Sequence, residues 1–317
     1  MDFKLSLEER KEEFNNQIIS YIHHELFDNK GNKVKSDFID EINEMQLQYL
    51  FREQTNNIFV DELKLILKLY NVSPSYLSNI FGLGTNIIRE YERGKLPSNS
   101  ICQMIRIYKS PEVMRKIILR RDDIKLKMKE KILSNIEIIR QNDSLIEKID
   151  TIPSRFTGYG LTDSIKLRQM ILFLSSDGMD ISILPLVLFF CDFGHYRLTV
   201  KSISGSRYFY SKTVYPEKYF RYIDELINEK KCVVYNEIIN DSLRLIIQSN
   251  DSKDILDYFQ ETEKIVIDEV KTNLQKLEAK EVFILLKSEM LFQDVEETHF
   301  IDYQKAFYLS FPKLNYL

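Results

Sequence analysis

Apolar side chains recur with helical spacing through most of this chain. FNNQIISYIHHELF (14–27) sets them three and four apart, which predicts a helix inside a lead-in over residues 1–55, broken by NKGNK. From Asp61 the pattern becomes regular: Leu63, Ile66, Leu67 and Tyr70 fall at i, i+3, i+4 and i+7 and give one apolar helix face. Ser73 is placed as an N-cap with Pro74 at the first helical position, where a missing N–H costs nothing, so a short second helix is expected at about 73–80. Val72 and Leu77 then occupy the two ends of a hydrophobic staple. A turn at Gly82-Leu83-Gly84 leads to a third helix from about Thr85, and ICQMIRIY (101–108) and PEVMRKIILRR (111–121) fit two more. The charged stretch 122–150, with a stripe of Ile132, Ile136, Ile139 and Leu145, reads as a connecting helix, either a plain surface helix or a dimerisation element.

IPSRFTGYG (152–160) clusters Pro and Gly and marks a boundary. Beyond it, KLRQMILFL and the segment 181–198 read as buried helices, and SISGSRYFYSKTV (202–214) as a small hairpin around a Ser-Gly turn. KYFRYIDELINEKK is helical, CVVYNEII and LRLIIQS are strand-like, and amphipathic helix returns in the C-terminal third. The expected fold is therefore mainly α. It divides into a lead-in (1–55), a five-helix domain (56–121), a connecting helix (122–155) and a helical domain with small β-hairpin elements (156–317).

Charge changes this picture more than bulk composition does. The net charge of −4 conceals a segment, Asp61–Lys131, with 15 Lys and Arg against 8 Asp and Glu, a local balance of +7 that leaves −11 for the remainder. A basic segment in an acidic protein points to a polyanionic partner for one part only. Cys102, Cys191 and Cys232 form no CxxC or paired pattern, which fits a reducing cytoplasm. The N-terminus is charged and shows no secretory apolar core. The most apolar run, ISILPLVLFF (181–190), is about half the length that spans a bilayer, so no membrane partner is expected.

FGLGTNIIREYERGKLPS (81–98) poses a choice between a phosphate-cradling loop and a DNA-reading element. A dinucleotide fingerprint needs a third glycine where Ile87 stands, and a Walker loop needs Ser or Thr where Leu96 follows Gly94-Lys95. A helix-turn-helix explains more: Ile87, Ile88 and Tyr91 form an inward face, and Thr85, Asn86, Arg89 and Arg93 share the other side. Those residue types reach base edges and phosphates in a major groove. Lys95, Arg106, Lys109, Arg120 and Arg121 are expected to add phosphate contacts. The expected DNA-binding set is thus Thr85, Asn86, Arg89, Arg93 and Lys95, on double-stranded operator DNA. No HExxH, serine elbow or Cys–His pairing in a Gly-rich loop is present, so no enzyme and no cofactor is expected. Cys191 and His195, four residues apart, are a conceivable metal pair, with a core or helix-capping histidine as the stronger alternative, and Glu296/Glu297 read as a solvated helix face.

Residues 41–98 resemble the XRE-type helix-turn-helix of a subset of bacterial antitoxins, with Gly82, Gly84, Tyr91, Glu92 and Gly94 at matching positions. Pro74 stands where the wider family often places a phosphate-contacting Gln. Some relatives carry a Cys-rich zinc knuckle ahead of this domain; no Cys precedes Cys102 here, and no such zinc is inferred.

CDFGHYRLTVKSISGSRYF (191–209) and TVYPEKYFRYIDELINEK (213–230) resemble the Panacea (SocA-like) domain, through Asp192, Phe193, His195, Tyr196, Ser204, Gly205 and Tyr208. AKEVFILLKSEMLF (279–292) and FIDYQKAFYL (300–309) resemble that family's C-terminal helices. The resemblance implies an antitoxin that holds a cognate toxin protein and represses their shared operon. Asp192, His195, Tyr196, Arg207 and Tyr208 are the expected partner-contacting set, and a homodimer is expected on a two-fold operator. A regulator of a prophage or mobile element without a toxin, or an adaptor delivering a partner to a protease, remain the alternatives.

Overall fold

The computed structural model describes residues 3–211, 213–239, 242–250, 255–274, 277–289 and 299–312. Glu296/Glu297, and positions 290–292 of the expected C-terminal helix, lie outside them. Among the described residues about 53% are helical and 17% lie in strands, in three small antiparallel sheets, so the fold is mixed α/β and the mainly α expectation is corrected.

The largest departure is at the N-terminus. Residues 14–27 are not helical: β1 (Lys4–Phe14) and β2 (Gln17–Phe27) form a hairpin, to which β3 (Lys33–Val34) adds a short third strand. Asn15 and Asn16 make the two-residue loop with φ of 48° and 62°. Asn tolerates the left-handed region, and a loop with two positive φ angles matches the twist of a hairpin. Ile18, Ile19, Ile22 and Leu26 satisfy helical spacing, but buried positions run Ile19, Tyr21 and then His24, Leu26, alternation with one change of parity. β3 reaches only as far as Leu26↔Val34, leaving inner β2 backbone to be satisfied otherwise. Helix α1 (Asp37–Gln54) supplies amides for this: Asn43 exchanges two hydrogen bonds with the His24 backbone (2.9 and 3.0 Å), and Gln46 two with that of Ile22 (2.8 and 3.3 Å). A buried strand edge must find such partners, and side-chain amides stand in for a missing strand.

The chain divides into two compact units. The smaller comprises Glu12–Ile19 and Leu47–Pro153; the larger comprises Met1–Lys11, Ser20–Gln46 and Ser154–Leu317. The N-terminal 55 residues thus form no body of their own.

In the smaller unit five helices lie between residues 60 and 120: α2 (Val60–Tyr70), α3 (Pro74–Ile80), α4 (Ile87–Glu92), α5 (Asn99–Tyr108) and α6 (Pro111–Arg120). Ser73 Oγ accepts the Tyr76 N–H, Pro74 opens α3, and Val72 and Leu77 are both buried. The stretch read as one connecting helix is two, α7 (Leu126–Arg140) and α8 (Asp143–Asp150), because Asn142 caps a new start by accepting the Leu145 N–H. Ile132, Ile136 and Ile139 are fully buried within this chain, so that stripe is core and offers no dimer seam.

The larger unit is built around α10 (Leu184–Thr199), which is apolar at most positions and buried along nearly its whole length, as a central helix must be. Against it pack α9 (Ser164–Leu174), α12 (Glu261–Leu274) and a 3₁₀ turn at Tyr303–Tyr308, and the unit also holds α11 (Tyr219–Asn228) and α13 (Ala279–Ser288). A sheet of order β4 (Met179–Asp180), β8 (Ser242–Ser249), β7 (Cys232–Ile239) and a separate hairpin, β5 (Tyr208–Ser211) with β6 (Thr213–Pro216), complete it. The hairpin lies C-terminal to the expected Ser-Gly turn. Gly205 serves close approach instead: its φ is +66°, and an added Cβ would collide with the Leu161 carbonyl oxygen.

Candidate nucleic-acid interface

Helix α4 is short, and both of its ends are held by backbone geometry. At the end of α3, Gly82 has φ +69°; its N–H bonds the Asn79 carbonyl at 3.0 Å and the Leu83 N–H bonds that of Ser78 at 2.8 Å. After α4, Gly94 (φ +100°) bonds Tyr91 at 3.0 Å while the Lys95 N–H bonds Glu90 at 3.1 Å. Both are Schellman stops, which need a residue in the left-handed region. The two glycines are helix terminators, and no phosphate cradle is formed. Ser78 Oγ accepts the Ile88 N–H at 3.1 Å, tying the start of α4 to α3. Arg52 donates to the carbonyls of Ile58 and Gly94 (the latter at 3.1 Å), and Asn57 to that of Pro97 at 3.1 Å, so the exit is pinned too.

With Ile88 and Tyr91 buried, the opposite side of α4 faces solvent. Thr85, Asn86, Arg89, Arg93 and Lys95 are all exposed. Asn86 is the N-cap residue, yet its side chain makes no capping bond, and helix proper begins at Ile87. Among the described residues, the side chains of Thr85, Asn86, Arg89 and Arg93 have no hydrogen-bond or ionic partner. Lys95 pairs with Glu90 at 2.6 Å, which raises the lysine pKa through that hydrogen bond. Both partners are well exposed, and such a pair contributes little. The result is a rigid helix edge carrying an amide, a hydroxyl and two guanidinium groups with uncommitted donors.

The flanking cations sort differently. Arg106 and Lys109 are not phosphate contacts: each lies 3.3 Å from a carboxylate oxygen of Glu62, whose side chain is fully buried. Arg106 also donates to the carbonyls of Asn56 and Asn57, and Lys109 to that of Thr151 at 3.2 Å. Glu62 accepts the Phe59 N–H as well, so this ion cluster fastens the start of α2 to α5. Arg121 is likewise committed, donating to the carbonyls of Asn79 and Ile80 at the end of α3 and pairing with Asp123 at 2.6 Å. Arg120 is exposed and, among the described residues, has no partner. Glu62, Arg52 and Ser78 were not legible as site-supporting residues, since nothing in a single sequence links them to α4.

The expected partner-contacting residues of the larger unit are, with one exception, interior. Asp192 is completely buried and accepts four hydrogen bonds: Ile203 N–H (2.8 Å), Ser204 N–H (2.8 Å), Ser204 O–H (2.6 Å) and Tyr208 O–H (2.8 Å). Burial pushes its carboxyl pKa up, and the Ser204, Tyr208 and Ile203 donors oppose that. It holds the segment Ile203–Tyr208 against α10. His195 bonds the Lys201 carbonyl at 2.6 Å and the Thr262 hydroxyl at 3.2 Å, and burial lowers its pKa to about 4. Both ring nitrogens are engaged within the fold, leaving Cys191–His195 no role as a metal pair. Tyr196 and Tyr208 are fully buried among Phe189, Phe193, Tyr303 and Phe307. Asp192, Tyr196 and Tyr208 have no exposed surface and His195 almost none, so these four side chains, expected at a partner-facing surface, lie inside the fold. Arg207 alone is partly exposed, paired with Glu217 at 2.7 Å.

No group of three or more His, Cys, Asp or Glu among the described residues is arranged to hold a metal ion. No helix among them is long and apolar enough to cross a membrane. No family model, curated protein or solved structure matches this chain.

Proposed function

We propose that this chain is a cytoplasmic DNA-binding regulator of the antitoxin kind, acting by binding and not by catalysis. The smaller unit presents α4 to the major groove of an operator, and the larger unit holds a protein partner, the cognate toxin. The observation that carries the DNA reading is the row Thr85, Asn86, Arg89, Arg93: exposed, uncommitted, and mounted on a helix whose other face is locked by Ile88, Tyr91 and Ser78. Asn pairs with adenine and Arg with guanine in the major groove, and Thr reaches either. Rigid mounting is what such readout needs, because bidentate contacts are lost with small displacements. Arg120 and Lys95 then add backbone contacts, and two copies read the halves of a two-fold site.

The toxin half of the proposal rests on the resemblance of residues 191–230 to the Panacea domain. Two measurements test the two halves. Fluorescence anisotropy with a duplex from upstream of this gene is expected to show binding at least 100-fold tighter than to a scrambled duplex at equal salt. Expression of the adjacent gene alone is expected to arrest growth, and co-expression of this chain to restore it. Equal affinity for both duplexes contradicts the DNA reading; a harmless neighbour, or one equally lethal with this chain present, contradicts the toxin reading.

A further inference from the structure

Helix α4 and its exit carry little net charge. Residues 85–95 hold three Lys and Arg (Arg89, Arg93, Lys95) against two carboxylates (Glu90, Glu92), a balance of +1. Most of the +7 of Asp61–Lys131 lies elsewhere, in residues 116–131, where seven Lys and Arg meet three Asp and Glu, a balance of +4. The sequence-independent attraction of a protein to a duplex comes from cations that neutralise phosphates. By that measure the surplus sits where α6 passes into α7, and not on α4.

Within that junction the cations divide. Arg121 is committed to the fold, and Lys129 donates to the Leu119 carbonyl at 3.2 Å. Lys116, Arg120, Lys125 and Lys127 are exposed and, among the described residues, have no hydrogen-bond or ionic partner. Asp122 and Glu130 are the exposed carboxylates nearest them in sequence whose side chains make no described ion pair, two against four. The lysines do not serve α7 either. A helix start disfavours cations, yet the first turn of α7 has no acidic residue, and Lys125 is its N-cap without a capping bond. Residues that break a local rule with no gain inside the fold point to a task outside it.

Arg121 fixes where this face lies. Its guanidinium donates to the carbonyls of Asn79 (3.1 Å) and Ile80 (3.2 Å) and to Asn79 Oδ1 (2.9 Å). Ser78, in the same last turn of α3, holds the Ile88 N–H at 3.1 Å. One turn of α3 thus ties down both the α6–α7 junction and the start of α4, and the buried Ile124 secures the junction to the unit. The four cations therefore stand in fixed relation to Asn86 and Arg89. We infer that Lys116, Arg120, Lys125 and Lys127 hold the phosphodiester backbone beside the groove that α4 reads, and carry the sequence-independent part of DNA binding. The inference rests on the reading of α4 and separates two tasks: phosphate contacts position the duplex, and base contacts specify it.

Fluorescence anisotropy on the full chain tests this, with the upstream duplex and its scrambled counterpart at roughly 50 to 200 mM salt. The variant Lys116→Gln/Arg120→Gln/Lys125→Gln/Lys127→Gln is expected to lower the slope of log affinity against log salt by about 3 to 4. It is expected to bind both duplexes more weakly by one common factor, at least 30-fold, with the preference between them and the melting temperature unchanged. Lys125→Gln/Lys127→Gln alone is expected to remove about half of that slope. Lys116→Arg/Lys125→Arg/Lys127→Arg keeps the charge and is expected to bind as the wild type does. An unchanged slope in either Gln variant overturns the inference, and the α4 reading stands if the wild type still prefers the upstream duplex. A loss confined to the upstream duplex also overturns it, as does poly-glutamate bound through the same four residues as tightly as the scrambled duplex. A wild type that holds both duplexes equally, with the slope falling as described, keeps the phosphate face and removes the α4 reading. A wild type that binds neither duplex removes both.

Discussion

Two sets of polar residues looked equally suited to recognition, one around α4 and one around α10, and the fold treats them in opposite ways. Thr85, Asn86, Arg89 and Arg93 are exposed with uncommitted side chains, whereas Asp192, His195, Tyr196 and Tyr208 are interior. Residue type does not separate the sets; the fate of the hydrogen-bonding groups does. A polar side chain whose donors and acceptors are satisfied inside the fold is part of its framework. One left unsatisfied at a rigid, exposed edge is available to a ligand.

The strongest way to break that comparison is at Asp192. Asp192→Ala leaves two backbone N–H groups and two hydroxyls without their acceptor. A loss of about 3–5 kcal/mol is expected in urea denaturation. A loss within ~0.5 kcal/mol, the range of an ordinary surface substitution, would place Asp192 with the recognition residues after all.

Next come the cations of the smaller unit, where the same distinction divides residues of one charge. Lys109→Ala strips a partner from the buried Glu62 carboxylate and is expected to cost about 3 kcal/mol of stability. Arg120→Ala is expected to leave stability unchanged and to lower the slope of log affinity against log salt by about 1. The reverse assignment, Arg120 felt in folding and Lys109 in the salt slope alone, would overturn the sorting.

A smaller effect follows from two buried histidines of the larger unit. Burial lowers both His24 and His195 to about 4 from the ordinary 6.5. The unfolded chain therefore takes up protons first as pH falls. The contribution of these neutral rings is complete above about 6.5 and is lost on the way down to about 4. By pH 5 the expected loss is roughly 2 kcal/mol for each histidine. Asp192, pushed up by burial, changes in the opposite direction and partly offsets it. Urea midpoints at pH 7.5 and 5.0 measure the sum, and a midpoint that rises at pH 5.0 would contradict the burial of the rings.

The legible parts of the fold were those written in local chemistry. Ser73-Pro74 announced the start of α3, the Leu63/Ile66/Tyr70 stripe announced α2, and Gly82-Leu83-Gly84 announced the break between α3 and α4. The N-terminal hairpin was hidden because Ile18, Ile19, Ile22 and Leu26 obey a helical period while their backbone pairs as strands. The deciding signals were Asn15-Asn16 in the left-handed region and the amides of Asn43 and Gln46, which pair with strand residues about twenty positions away. Burial of Asp192 was hidden for a similar reason: its acceptors are filled by residues 11 to 16 positions further on. Spacing within one element carries no record of such partners.

The most direct measurement is the affinity of Asn86→Ala/Arg89→Ala for the upstream duplex, set beside its thermal unfolding. Each base contact is worth about 1–3 kcal/mol. The double variant is therefore expected to bind that duplex at least 30-fold more weakly, to lose its preference over scrambled DNA, and to melt at the wild-type temperature. Undiminished, sequence-selective binding by a normally folded double variant would contradict the assignment of α4 as the reading edge.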